Sequence, residues 1–231
     1  MSRTATFTRE QLRAPFTLLL LVGVPIAFVV SAAGVLHDFA RALGGSLAGD
    51  AAVGLSAGWA AAFLSGALGF FAASSSRGAD RRLALAGLGP ARVALSRIVA
   101  TVILATVAAA AAFVALFMQG GIDHPWHAAI GVLAFAWLYL GIGVVVGSLI
   151  AGPLEGSLIV VLIFMLDVFS GPGMSGSAAP WAISRKAADV LIAAGLGRFS
   201  PAGDWVALTL TTVVAVAAAF TVFVVSARRR T

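Results

Sequence analysis

An all-α integral membrane fold with six transmembrane helices follows from three observations on this chain. Six long runs, residues 16–36, 51–73, 98–118, 128–151, 156–172 and 206–226, contain hardly a charge. Their apolar residues are continuous rather than alternating, which excludes the two-residue period of a membrane β-barrel strand. Most of the arginine lies on one side of these runs. About 20 apolar residues are needed to cross roughly 30 Å of hydrocarbon at 1.5 Å rise per residue. Each run must also satisfy its own backbone hydrogen bonds there, as only a helix does within one segment. Hydrophobic residues are 61% of the chain and charged residues 10%, and the mean hydropathy is +1.05, so the whole of 1–231 reads as a single transmembrane domain.

The elements follow in order. Residues 5–14 are mildly amphipathic, with Phe7 and Leu12 opposite Arg9, Glu10 and Arg13. Pro15 then interrupts the chain, which suits a short interfacial helix before the first span. That first run is too long for the apolar core of a signal peptide and reads as a retained anchor. Arg3, Arg9 and Arg13 precede span 1; Arg77, Arg81, Arg82, Arg92 and Arg97 lie between spans 2 and 3; Arg228, Arg229 and Arg230 follow span 6. Only Arg41, Arg185, Lys186 and Arg198 fall on the opposite side. By the positive-inside rule both termini are expected in the cytoplasm. The net charge of +6 is thereby a signature of topology, and no nucleic-acid partner is expected.

Residues 77–97 are the most informative connection. Asp80 can cap a short helix beginning near Arg81, Gly87 and Gly89 offer left-handed ends, and Pro90 can open the helix that becomes span 3. The short helix carries Leu83, Leu85 and Leu88 between basic neighbours, either as an apolar knob for a partner or as an interfacial loop whose leucines dip into lipid. Spans 2 and 4 are rich in small residues. Gly143 and Gly147 form a GxxxG pair, suited to close helix packing either within one chain or across a dimer. Span 5 is short and opens with Glu155, a favourable charge at a helix N-terminus.

Asp167 is the only acid well inside a span. A carboxylate in hydrocarbon is costly, so Asp167 is expected either to contact a cationic substrate along a transport pathway or to sit at the wetted outer mouth. Residues 173–205 form a long outer connection punctuated by Pro180 and Pro201, in which residues 183–196 make a short interfacial helix ended by Gly195 or Gly197. Its Arg185, Lys186 and Asp189 are expected to face water.

Several chemistries are weak or absent. No cysteine is present. His124 and His127 are three apart but lack further ligands, so no metal site is expected. Gly173-Met174-Ser175-Gly176 has the GxSG form of an intramembrane serine protease, yet the last span supplies no histidine as general base. No Walker A sequence occurs, so the chain holds no nucleotide of its own. No enzymatic activity or cofactor in this chain is expected.

The layout resembles the membrane subunit of ABC exporters of the type-2 permease class. The resemblance rests on Leu12-Arg13-Ala14-Pro15 with Pro25 inside span 1; on Asp80-Arg81-Arg82-Leu83-Ala84-Leu85-Ala86-Gly87 with Pro90 and Arg97; and on Phe169-Ser170-Gly171-Pro172 with Pro180-Trp181. It implies that Asp80, Arg81, Arg82, Leu83, Leu85, Leu88 and Pro90 form a coupling helix and its exit turn. It further implies a re-entrant outer segment before span 6, a second permease subunit as homo- or heterodimer, and a separate ATPase carrying ATP and Mg. The location implied is the plasma membrane. Asp167 departs from what the family would place in span 5. The competing functional readings are an ion-coupled secondary transporter, a non-transporting membrane partner and, remotely, the protease.

Overall fold

The computed structural model describes residues 15–47, 49–74, 90–120, 122–150, 152–172, 174, 179 and 181–228. Among them the elements are helices: α1 Pro15–Ala42, α2 Gly49–Ser74, α3 Pro90–Gln119, α4 Pro125–Leu149, α5 Pro153–Ser170, α6 Arg185–Gly195 and α7 Ala202–Arg228. Six of the seven are long and apolar enough to cross a bilayer; α6 is the exception. The protein is an all-α, multi-span membrane protein. Every span helix starts before its apolar run; four also run past its end, whereas α4 stops at Leu149 and α5 at Ser170, two residues short of theirs.

Proline and glycine account for most boundaries. Pro90, Pro125 and Pro153 each stand at the first position of a helix, where a missing N–H is not needed and φ is already helical. Pro25 lies inside α1, tolerated because neighbouring groups in a bundle re-satisfy the freed carbonyl. After α1, Gly44 takes φ +76°, and the chain folds back so that Leu47 O meets His37 Nδ1 at 2.8 Å. Gln119, at the end of α3, donates Nε2–H to Val29 O of α1 at 2.9 Å.

The core is the parallel pair α2 and α4, which share the most extensive interface in the bundle and meet at Gly58 with Phe135, Gly66 with Gly143 and Phe70 with Gly147. Around it, α1 and α3 pack against α2 and each other, α7 against α4 and α3, and α5 and α6 against both members of the pair. Trp59, Phe70, Phe135 and Tyr139 are among the largest fully buried side chains, all on this pair. The glycines of the seam explain the closeness. A Cβ added at Gly143 would land on the carbonyl of Gly66, and one at Gly147 would come within 2.5 Å of Phe70 O. From the other side, a Cβ at Gly69 would lie 2.5 Å from Leu140 O. Gly143 and Gly147 therefore serve packing within the chain. Lipid offers no hydrophobic drive between helices, so backbone approach of this kind supplies the dispersion contacts that hold them.

Residues 1–14, including the expected interfacial helix, lie outside the described residues. So do residues 75–89, which carry Asp80, Arg81, Arg82, Leu83, Leu85 and Leu88, and Ser175 of the GxSG sequence.

Candidate functional site at the outer mouth

α6 follows from its sequence pattern. Ala187, Ala188, Val190, Leu191 and Ala194 are buried, while Arg185, Lys186 and Asp189 lie on the partly exposed side. The surface it buries against is protein, and this corrects the interfacial placement expected from the sequence. α6 is wedged between α2 and α4. Leu191 occupies a notch made by three glycines: added Cβ atoms at Gly58 and Gly131 would fall 2.7 Å and 2.9 Å from its side chain, and one at Gly54 would sit 3.4 Å from its carbonyl oxygen. Three absent side chains on two spans thus make the seat for α6. The helix stops at Gly195, Arg198 N–H returns to Ala193 O at 2.8 Å, and Gly197 takes the left-handed φ of +64° that ends many helices.

Asp167 is at the centre of this region, in the last turn of α5. It is 2% exposed, so it sits at neither a wetted rim nor an open surface. Both carboxylate oxygens are engaged. Tyr139 Oη–H of α4 donates to Oδ2 at 2.6 Å, and the backbone N–H of Ser184, immediately before α6, donates to Oδ1 at 3.2 Å. Three elements, α4, α5 and the entrance of α6, meet at one carboxylate. Hydrogen bonds to an ionised acceptor are about twice as strong as neutral ones, and here they offset part of the cost of holding a carboxyl group at membrane depth. Phe164 stacks edge-on against Tyr139 with centroids 5.8 Å apart, and Trp59 of α2 packs near Gly171. Trp59 Nε1 and Ser184 Oγ are buried and find no acceptor or donor among the described residues.

Tyr139 is the chain's only tyrosine, and its place in the middle of an apolar span was the available signal that a polar partner lay nearby. Which acid it would meet depended on tertiary contact. Ser184 offers its backbone to Asp167, which no sequence pattern announces.

A second polar cluster lies at the same membrane face, closer to water. Lys186 Nζ is 2.6 Å from Asp204 Oδ1 at the start of α7 and 3.7 Å from Asp189. The Asp204 carboxylate raises the Lys186 pKa above its ordinary value, chiefly through that hydrogen bond. Burial pushes the Asp189 carboxyl up, with Lys186 opposing. Nearby, His124 stacks on Phe199 at 4.3 Å and His127 lies 5.0 Å from Trp205, which ties the α3–α4 connection to the start of α7. The histidine rings are 5.3 Å apart, but no group of three or more potential metal ligands exists among the described residues.

Of the residues implied in coupling, Pro90 is described, and it opens α3 as its sequence context predicts. Glu155 stands in the first turn of α5, where a negative charge complements the helix dipole. No protein-family model, curated protein or solved structure matches the chain.

Proposed function

We propose that this chain is the membrane permease subunit of an ABC exporter, working with a second permease subunit and a separate ATPase in the plasma membrane, with both termini cytoplasmic. The observation that carries the reading is the seat of α6. A short helix between the shortest span and the last one is wedged between α2 and α4 at the outer end, as expected of an outer re-entrant element rather than a loop lying on lipid. Below it, the α2–α4 seam is closed backbone to backbone. A substrate route through the middle of one chain would have to break that seam, whereas a route between two subunits leaves it intact. The broad apolar outer faces of α1, α5 and α7 are available for that second subunit and for lipid.

Energy enters from outside the chain, since no phosphate-binding loop occurs in it. Residues 80–90, just before the helix that Pro90 opens, are the proposed docking element. Leu83, Leu85 and Leu88 are its apolar anchors, and Arg81 and Arg82 its charges. ATP and Mg belong to the partner. The decisive variant is Leu85→Asp with Leu88→Asp, purified in parallel with wild type from cells expressing the ATPase. The expected outcome is loss of ATPase co-purification, or of substrate-stimulated hydrolysis, with membrane insertion and gel-filtration behaviour unchanged. Wild-type values for both would remove the coupling assignment.

The buried carboxylate favours a second reading, an ion-coupled secondary transporter in which Asp167 carries the coupling ion. Transport by purified chain in vesicles without ATPase, abolished by Asp167→Asn, would favour it over the exporter.

A further inference from the structure

α6 fills a cleft that α2 and α4 make by diverging. At Gly66 with Gly143 and at Phe70 with Gly147 the two helices touch backbone to backbone. About two turns nearer the outer end, at Gly58, they meet through the Phe135 ring, and between Gly54 and Gly131 stands Leu191 of α6. From Leu191 the helix runs inward to Ser184, whose backbone N–H rests on Asp167. Without α6, Gly54, Gly58, Gly131 and Phe135 are the walls of this cleft, the Tyr139–Asp167 pair is its floor, and the glycine seam closes it below.

The hold on α6 is light for a buried helix. Of its five buried residues, Ala187, Ala188 and Ala194 are alanines, with little apolar area to lose on exposure. Leu191 is the one large anchor. The polar fastenings are the N–H to Asp167 at 3.2 Å and the Lys186–Asp204 pair at 2.6 Å, and water can take the place of either. Seating α6 also leaves a polar group unmet. Ser184 is 0% exposed, and its Oγ has no partner among the described residues. An unmet buried hydroxyl is costly, and that cost is relieved when α6 lifts.

Charge and shape say what enters the cleft. Arg185 and Lys186 belong to α6 and leave with it. Asp167 is then the only charged side chain among the wall and floor residues. Its oxygens have room for more than the two hydrogen bonds they hold. Phe135 and Tyr139 stand beside it, with Phe164 edge-on to Tyr139 at 5.8 Å. A carboxylate among aromatic rings recognises an organic cation, whereas an anion is repelled. A metal ion finds no set of three ligands among the described residues. The space vacated by an 11-residue helix, about 16 Å long and roughly 10 Å wide, is also far larger than an ion.

We propose that lifting α6 opens an outward-facing binding site for an organic cation, its positive centre at Asp167 and its apolar body against Phe135 and Tyr139. The open form is a minor state that the ligand makes dominant. The seam closes the cleft below, so the site is a vestibule within one chain and not a path through it. It is a property of the chain alone and does not rest on the exporter reading.

The test uses the full-length chain purified in mild detergent. The probe is tetraphenylphosphonium, and the control is tetraphenylborate, of the same shape and opposite charge. Wild type should bind the cation saturably in equilibrium dialysis, and the anion about tenfold or more weakly. Asp167→Asn, with an unchanged gel-filtration profile, should weaken cation binding by about tenfold or more. Movement of α6 is read separately. The chain has no cysteine, so Ser184→Cys carries the only thiol, at a fully buried position. Tetraphenylphosphonium should raise its rate of reaction with a water-soluble maleimide about fivefold or more, and tetraphenylborate should not. Absence of saturable cation binding by wild type, undiminished binding by folded Asp167→Asn, or a thiol rate that the cation leaves unchanged or that both probes raise equally, overturns the proposal. The wild-type and thiol measurements decide the matter even if Asp167→Asn misfolds. None of them uses the ATPase, so their failure leaves the exporter reading to its own co-purification test.

Discussion

Two places in this bundle hold helices together by opposite means. Along the α2–α4 seam Gly66, Gly69, Gly143 and Gly147 remove side chains so that backbones touch. At the outer mouth one carboxylate, Asp167, gathers α4, α5 and the entrance to α6 through hydrogen bonds to Tyr139 and Ser184. The seam is unforgiving because backbone cannot rotate away from an added atom. The clasp is directional, and its parts exchange for water or other polar groups if the mouth opens. In packing terms the seam is a rigid frame and the clasp a directional joint. The burial of the helices fits this. In the apolar window of α2, 72% of residues are buried, against 28% in α5.

The largest expected effect breaks the frame. Gly143→Leu inserts a side chain where even a Cβ meets the Gly66 carbonyl, and should destabilise the bundle by about 3 kcal/mol or more. The measurement is the midpoint of unfolding in mild detergent as SDS is added. A midpoint within error of wild type would mean that α2 and α4 are not in backbone contact.

Next comes the clasp. Tyr139→Phe leaves Asp167 short of one charge-assisted hydrogen bond, at a cost of about 1.5–3 kcal/mol. Asp167→Asn keeps one acceptor oxygen, for the Ser184 N–H, while its amide N–H can donate to Tyr139 Oη, and should cost less. The ordering is the informative part: Asp167→Asn as damaging as Gly143→Leu would make the carboxylate part of the frame rather than a joint.

The smallest effect sharpens the comparison at the water-facing edge. The Lys186–Asp204 pair raises the Lys186 pKa above 10.5. Its contribution is therefore present below the unfolded-state value and lost as pH rises through the higher folded-state one. With the Lys186 side chain 38% exposed, screening leaves about 0.5 kcal/mol or less. Wild type should lose that increment at strongly alkaline pH, and Lys186→Met should not. Equal alkaline losses in both would assign the titration elsewhere.

Much of this architecture was legible in the chain before any coordinates. The bilayer imposes a length and a continuity on each span, and Pro90, Pro125 and Pro153 punctuate the helix starts, so six spans and their approximate limits follow from local composition. Gly143 and Gly147 announced close packing without naming the partner, because a small residue records only that something comes near. α6 was legible as an amphipathic helix, but its apolar face is equally suited to lipid and to protein. The glycines at 54, 58 and 131, on other spans, made the difference.

The sequence by itself therefore determined what the membrane dictates: span number, helix ends, and the side on which arginine gathers. These depend on the hydrocarbon as solvent, which acts on every residue independently of its distant neighbours. The tertiary structure alone decided which surfaces meet. It turned Asp167 from an isolated charge at one end of a span into a buried acceptor for Tyr139 and Ser184, and it seated Leu191 in a notch drawn from α2 and α4. Those outcomes depend on pairs of residues far apart in the chain, whose meeting is fixed by shape and by the need to satisfy buried polar groups, and neither is encoded in a local pattern.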